Sequence, residues 1–321
     1  MKKSISKFLQ IFIPLALGVF LLWYFYSKYT PQEKDEIFRN LENANYWVVG
    51  LAVLLSVISH MIRAYRWNFM LEPLGYTPKL ANNFMAVSIA YLMNLFIPKS
   101  GEVSRAIVLK TYEGVPFDKG FGTIITERVI DLILLFVFTA IALFLQFDTL
   151  YQYLTEIVPI KKILFAGGAL IAVFILFLLF LNYSKGKLSS KIKGLLSGLK
   201  EGIFSVVKMK KKWPFIFHSL LIWALYIASF YTATFALEQT AGIDLGIVII
   251  TFVVGSFTFA FTNSGFGYYQ LAIAGIMLVF GIDDTIGTAL GWIVWTSNII
   301  YILISGTISF ILLPIYNRNR L

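Results

Sequence analysis

The residues of this sequence that could do chemistry gather in one stretch, residues 94–131, which lies between long apolar runs. In a chain that is 58% hydrophobic and 14% charged, this stretch carries a dense set of ionisable side chains: Lys99, Glu102, Arg105, Lys110, Glu127, Arg128 and Asp131. Ionisable groups are costly at membrane depth, so they usually face a protein interior or a wet cavity and mark a pathway. The stretch therefore indicates a polar site inside a membrane protein.

The backbone is expected to break at residues 97–101, because Pro98 and Gly101 both disfavour a helix interior. Broken backbone at membrane depth is tolerated only where protein or a cavity surrounds it. We therefore predict a re-entrant hairpin whose tip presents Lys99 and Arg105 to an anionic head group. The free N–H groups of the helix that follows add to this phosphate seat.

Two further arginines, Arg63 and Arg66, lie one turn apart near the end of an upstream apolar run, so both can face one group. The guanidinium presents a planar fork of donors that matches phosphate. Snorkelling of both side chains to the membrane interface is the alternative interpretation.

Three carboxylates accompany these cations. Glu102 lies three residues before Arg105 and is expected to orient it, unless the two form a solvated surface pair. Glu127 and Asp131 lie four residues apart, with Arg128 between them. One of them can pair with Arg105 or Arg63 across helices, and an ion pair without function fits equally well. Two carboxylates on one face also raise a proton-coupling hypothesis, because like charges raise one pKa.

A second, uncharged group of helix breakers lies at residues 263–270. Its polar side chains are Asn263, Ser264, Tyr268, Tyr269 and Gln270. Gly265 and Gly267 allow close backbone approach or a positive φ. Helix packing by small residues explains this pattern as well as ligand binding does.

Apolar helices must position these residues. The predicted full spans, each with about 20 apolar residues, are 9–27, 46–66, 121–146, 162–182, 213–237 and 286–313. Regions 81–117 and 246–281 are each two short apolar segments joined by breakers. The sequence thus predicts an all-α polytopic membrane protein with about six full spans and two re-entrant hairpins, or eight or more helices if the short segments cross the membrane.

Loop charge orients this topology. The loop at 185–212 holds nine Lys and one acid, which places it and both basic termini in the cytoplasm of a multi-pass inner-membrane protein. Apolar residues at helical spacing in the basic loop 183–212 predict an amphipathic helix on the inner leaflet.

The same topology repeats along the chain. Within a single membrane domain, 1–321, residues 1–160 read span, span, hairpin, span, and residues 161–321 read the same. Because each half crosses the membrane three times, which is an odd number, the second half is inverted in the membrane relative to the first. Paired interrupted segments of this kind indicate a transporter's binding site.

Composition excludes several other functions. The formal charge of +10 is concentrated in one loop, which favours an anionic leaflet over nucleic acid as the partner. The chain has no Cys and two isolated His, so we predict no metal site and no cofactor. It contains no phosphate-loop or nucleophile-elbow motif.

The segments NLFIPKSGEVSRAIVLK and ERVID, with RAYRW upstream, resemble the lysylphosphatidylglycerol synthase transmembrane (flippase-like) family. The matching motif positions are Asn94, Pro98, Gly101, Glu102, Arg105, Glu127, Arg128 and Asp131. Gly265, Gly267 and Gln270 fall on the family's late glycine-rich motif, where Gln270 replaces the usual Glu. Lys99-Ser100 replaces a small residue and Arg.

The resemblance implies a flippase that moves an anionic phospholipid between leaflets, without the cytosolic aminoacyl-transfer domain of the full synthases. Lipid lysylation by this chain is therefore not expected. The alternative is a membrane glycosyltransferase or accessory subunit acting on polyprenyl-phosphate-linked lipids, with Asp283–Asp284 as its acidic pair. The expected partners are the lipid, the membrane, and either a second copy of the chain or a separate lipid-modifying enzyme.

Overall fold

The structure, a computed structural model, describes residues 26–157 and 209–318 apart from Asn263, with scattered positions between 19 and 24 and between 175 and 207. This part of the chain is helical and contains no strand. The helices whose bounds lie within it are α1 (Pro31–Glu42), α2 (Tyr46–Leu71), α3 (Leu80–Phe96), α4 (Ser100–Glu113), α5 (Phe117–Leu145), α6 (Phe147–Ile157), α7 (Lys212–Thr234), α8 (Leu245–Phe261), α9 (Tyr269–Val279) and α10 (Asp284–Tyr316).

Four of these helices, α2, α5, α7 and α10, are long and apolar enough to cross a membrane. They coincide with the predicted spans at 46–66, 121–146, 213–237 and 286–313, and they confirm an all-α polytopic membrane protein. The predicted spans 9–27 and 162–182 and the amphipathic helix of the loop 183–212 fall largely outside the described residues. The division into two inverted halves at residue 160 therefore stays a prediction.

The two interrupted regions are helical hairpins. Helices α3 and α4 form the first hairpin and are joined at residues 97–99, while α8 and α9 form the second and are joined at residues 262–268. At about 1.5 Å per residue, α3 and α8 reach about 25 Å and the returning helices less. Since the hydrocarbon core is about 30 Å thick, these lengths favour re-entrant hairpins over full spans.

The hairpins open toward opposite ends of the bundle. At one end, the Lys211 side, Lys211 binds Glu72 at 2.7 Å, and the backbone N–H of Lys79 donates to Glu113 at 3.1 Å, so α3 starts where α4 finishes. At the other end, the Asp284 side, Gln146 donates to Asp244 at 3.0 Å, just before α8. Each hairpin thus returns to the side from which it started.

Outside the bundle, α1 begins with a capping box. The Thr30 hydroxyl accepts from the Glu33 backbone N–H at 3.2 Å, and the Glu33 carboxylate accepts from the Thr30 backbone N–H at 2.7 Å. These hydrogen bonds lower the pKa of Glu33, and the bond from the Thr30 backbone N–H has the largest effect. Tyr29, just before α1, donates to Asp284 and holds this peripheral helix against the start of α10.

Candidate functional site

The tip of the first hairpin is closed by its own side chains. Lys99 adopts a left-handed conformation with φ 61°, which reverses the chain directly after Pro98. The side-chain oxygen of Asn94 accepts from the Gly101 backbone N–H at 2.8 Å, so the last turn of α3 caps the first turn of α4. A Cβ at Gly101 would meet the Ala90 carbonyl and lie 2.6 Å from the Asn94 amide nitrogen. The break predicted at residues 97–101 is therefore present, and only glycine fits its inner edge.

Seven ionised side chains from three helices meet behind this tip. Two arginines come from α2, one arginine and one glutamate from α4, and one arginine and two acids from α5. We call them the charge cluster: Arg63, Arg66, Glu102, Arg105, Glu127, Arg128 and Asp131. Sequence spacing explains the grouping within each helix, because residues three or four apart share a helix face.

Glu127 is the centre of the charge cluster and is fully buried. Its two oxygens accept from the two terminal nitrogens of Arg105 at 3.0 and 2.9 Å, in a bidentate pair. Arg63 donates to the same carboxylate at 2.5 Å, and Arg66 lies 3.5 Å away. The guanidinium of Arg105 also stacks over the Trp67 ring at 3.8 Å. One acid thereby holds arginines from α2 and α4 against α5.

Asp131 lies one turn further along α5 and extends the network. It accepts from Arg63 at 2.7 Å and lies 3.6 Å from Arg66 and 3.7 Å from Arg128. Helix α7 joins from the opposite wall, because the Tyr226 hydroxyl accepts from Arg63 at 3.2 Å. Four helices are therefore tied together by hydrogen bonds and ion pairs in the middle of an apolar bundle.

The charge cluster is not electrically neutral. It contains four arginines and three carboxylates, which leaves one positive charge in excess. Four of its guanidinium nitrogens make no hydrogen bond: Nε and Nη2 of Arg66, Nε of Arg105 and Nε of Arg128, the last of which lies 3.5 Å from Glu102. Unpaired buried charge costs several kcal/mol, so this arrangement is suited to receive an anion.

A small cleft opens beside the charge cluster, between α3, α4 and α5. Its lining residues are Val87, Ala90, Tyr91, Asn94, Glu102, Arg105 and Arg128. The Arg128 side chain is 40% exposed, whereas that of Arg105 is 2% exposed. An entering group would therefore meet Arg128 first and Arg105 at the inner wall.

Most site residues predicted from the sequence lie together, with two differences. The partner of Arg105 is Glu127 rather than Glu102, which instead pairs with Arg128 at 3.5 Å. The expectation that Glu102 orients Arg105 is wrong, because the acid of α5 reaches the same guanidinium with two direct bonds. Lys99 lies at the exposed tip and does not line the cleft.

The predicted residues of the second hairpin lie in a different environment. Ser264, Gly265 and Gly267 all have positive φ values, 57°, 73° and 76°, and Trp295 of α10 donates to the Ser264 carbonyl at 2.9 Å. Gln270 is 1% exposed, and neither atom of its side-chain amide has a hydrogen-bond partner. Asn263 lies outside the described residues.

Several residues of the site were not identified from the sequence. Trp67 and Tyr226 contact arginines directly, and Ser219 accepts from Arg66 at 2.7 Å. His60, one turn before Arg63, stacks on Tyr91 with ring centroids 4.5 Å apart. The adjacency of Trp67 to Arg66 was a usable signal, whereas the α7 partners lie more than 150 residues away in sequence.

Comparison with known proteins places this arrangement among membrane proteins. A family described as "Lysylphosphatidylglycerol synthase TM region" matches residues 11–306. The UPF0104 membrane protein MJ1595 of Methanocaldococcus jannaschii is 24% identical over 79% of this chain and 81% of its own length. The UPF0104 membrane protein PH1989 of Pyrococcus horikoshii is 22% identical over 88% and 90%.

A shorter similarity covers part of an enzyme. Glycosyltransferase AglD of Haloferax volcanii is 31% identical over 102 residues, which are 32% of this chain and 16% of that protein. No solved structure matches the chain.

Proposed function

This chain belongs to the family of lysylphosphatidylglycerol synthase transmembrane regions, and we propose that it moves an anionic phospholipid between the two leaflets of a membrane. The observation that carries this proposal is the excess positive charge of the charge cluster beside an open cleft. A head-group phosphate would replace the missing negative charge, while the acyl tails stay in the surrounding lipid.

The cleft supplies suitable donors for a phosphate. Arg105 and Arg128 line it. The Nε–H of Arg105 has no acceptor, and Nε of Arg128 makes no hydrogen bond, although it lies 3.5 Å from the Glu102 carboxylate. Guanidinium N–H groups bind phosphate oxygens with short, charge-assisted hydrogen bonds. Because Glu127 already fixes the terminal nitrogens of Arg105, its Nε–H is held ready for a ligand, and little side-chain entropy is lost on binding.

Movement of the hairpins would provide access from each leaflet in turn. The first hairpin opens toward the Lys211 side and the second toward the Asp284 side, the arrangement used by transporters built from paired interrupted helices. We propose a multi-pass protein of the inner membrane with both termini cytoplasmic, which the Lys-rich loop 185–212 supports. We also propose that the protein associates with a second copy of itself or with a separate lipid-modifying enzyme.

A liposome assay with purified protein tests the proposal. Vesicles that contain a fluorescent anionic phospholipid are treated with dithionite, which destroys only the outer-leaflet label, so transport shows as a larger accessible fraction. Arg105→Ala is expected to lower the transport rate by about tenfold or more, because one lost charge-assisted contact is worth at least about 1.4 kcal/mol.

The matched control is Lys110→Ala, which removes a cation from an exposed position of the same helix. Membrane insertion and yield of both variants are compared with the wild type. Transport by Arg105→Ala at the wild-type rate would contradict the proposed function.

A second candidate function is service to a glycosyltransferase that uses polyprenyl-phosphate lipids, which the similarity to AglD favours. It predicts that Asp283→Asn and Asp284→Asn abolish activity, whereas Arg105→Ala has little effect. Asp284 accepts a hydrogen bond from Tyr29 and Asp283 precedes α10, so the pair lies at the Asp284 side, away from the charge cluster. The two sets of variants therefore separate the candidates.

A further inference from the structure

The net charge of the charge cluster limits the charge of the ligand that the cleft can accept. The charge cluster contains four guanidiniums and three carboxylates, and each forms at least one ion pair shorter than 4 Å with another member. The other residues that line the cleft are neutral. The Lys99 ammonium at the exposed tip is outside the lining. We infer that the cleft accepts a single negative charge and so selects phosphodiester over phosphomonoester head groups, with Glu102 setting this limit.

This inference rests on the proposed function and deepens it. A phosphodiester carries one negative charge, whereas a phosphomonoester carries nearly two above its second pKa, which is about 6. One charge neutralises the charge cluster, and a second would remain uncompensated in a partly desolvated site where charge is costly. The cleft is therefore matched to the diester.

Glu102 differs from the other two acids of the charge cluster. Glu127 and Asp131 each contact at least three arginines and hold the helices together. Glu102 contacts Arg128 at 3.5 Å, lines the cleft directly, and has one buried oxygen, Oε2, without a hydrogen-bond partner. Its negative charge is therefore the one that an incoming anion meets, and it can be removed without breaking the central network.

Two lipid probes at pH 8 test the inference: labelled phosphatidylglycerol, a diester, and labelled phosphatidic acid, a monoester. The readout is the ratio of their transport rates in vesicles of the same composition. The wild type is expected to prefer the diester. Glu102→Gln is expected to move the ratio toward the monoester by about tenfold, since a unit charge within about 5 Å acts strongly in a partly desolvated site. Arg128→Gln is expected to move the ratio the other way.

The matched control is Asp118→Asn, which changes the formal charge by the same amount at an exposed position of α5. Its ratio is expected to equal that of the wild type. Equal ratios for Glu102→Gln and Asp118→Asn would overturn the inference, as would equal transport of both lipids by the wild type. If the wild type moves neither lipid, the proposed function itself fails.

A competition experiment compares a soluble phosphodiester with inorganic phosphate and does not depend on a variant. Dissolved glycerophosphoglycerol, a soluble diester, is expected to slow transport of labelled phosphatidylglycerol. Inorganic phosphate at the same concentration and pH 8 is expected to slow it far less. Equal inhibition by both would show that the site does not distinguish ligands by their charge, and it would overturn the inference.

Discussion

The first hairpin turns at Pro98 and carries five acidic or basic side chains between residues 80 and 113, whereas residues 245–279 of the second hairpin carry none. Both tips use a non-glycine residue with positive φ, Lys99 in the first and Ser264 in the second. The same backbone problem is thus solved in two chemical environments. The difference indicates that the two hairpins share a geometry but not a role.

The two hairpins are also held in place differently. At the base of the first, Asn82 and Asn317 exchange amide hydrogen bonds of 2.8 and 3.0 Å, and both side chains are buried. Glycines of α10 pack closely against both hairpins: a Cβ at Gly306 would lie 2.5 Å from Leu92 of the first, and a Cβ at Gly287 or Gly291 would lie 2.7 Å from Ala274 or 2.8 Å from Gln270 of the second.

Directional hydrogen bonds and ion pairs resist sliding, whereas closely packed helices can shift past each other by small amounts. We therefore expect the first hairpin to hold the head group and the second to provide the movement. The predictions that follow test this division of labour.

The largest effect is expected from Glu127→Gln, which leaves three buried arginines without their common acid. Loss of one partner from a buried ion pair costs about 3–5 kcal/mol, so the melting temperature in detergent should fall sharply. Glu156→Gln, an exposed acid of α6, is the control and should melt like the wild type. Equal melting of both variants would mean that the charge cluster does not hold the first hairpin.

A pair of glycine substitutions compares the hairpins directly. Gly101→Ala places a methyl group against the Ala90 carbonyl, and Gly291→Ala places one against the Gln270 backbone. Each should destabilise the protein by about 1–3 kcal/mol through overpacking.

If the second hairpin moves, Gly291→Ala should reduce transport more than it reduces lipid binding, whereas Gly101→Ala should reduce both. Transport rates and binding of labelled lipid give the two readouts. Gly122→Ala, where an added Cβ meets no atom within 4 Å, serves as the control. The same loss pattern for both variants would contradict the division of labour.

Gln270→Met is expected to stabilise the protein by about 1 kcal/mol, because it removes a buried amide that has no partner. The same substitution should slow transport several-fold, since a costly polar group inside the second hairpin is expected to bind during the cycle. Thermal melting and the dithionite assay measure the two effects. A stabilised variant with unchanged transport would show that Gln270 has no part in the cycle.

The smallest effect is expected from Lys99→Ala. This side chain is exposed at the tip and outside the cleft, and exposed charges are screened beyond about 8 Å at physiological salt. Transport should fall by about twofold or less, with the difference shrinking as salt is added. A loss as large as that of Arg105→Ala would place the head group at the tip instead.

Hydropathy and helix breakers were sufficient to predict much of the fold. Pro98 and Gly101 marked the first tip, and the glycines near Ser264 marked the second, because their backbone preferences act locally. Spacing also grouped Arg63 with Arg66 and Glu127 with Asp131. These features depend on residues within one or two helical turns.

The pairing between helices was predicted only as a set of alternatives, in which Glu127 or Asp131 pairs with Arg105 or Arg63 while Glu102 orients Arg105. Glu102 lies closer to Arg105 in sequence than Glu127 does, yet Glu127 makes the bidentate pair. Which acid reaches a guanidinium depends on how α4 and α5 pack together, and this is a tertiary property. The contact of Tyr226 with Arg63, 163 residues apart, has the same origin.

We propose that a head-group phosphate binds between Arg105 and Arg128 inside the cleft. A crystal structure grown in a lipid mesophase that contains phosphatidylglycerol tests this most directly. We expect phosphate density within about 3 Å of Nε of Arg105 and of the Arg128 guanidinium, with the tails leading out between α3 and α5. An empty cleft in a structure that holds phosphatidylglycerol head groups only on the outer surface of the bundle would contradict it.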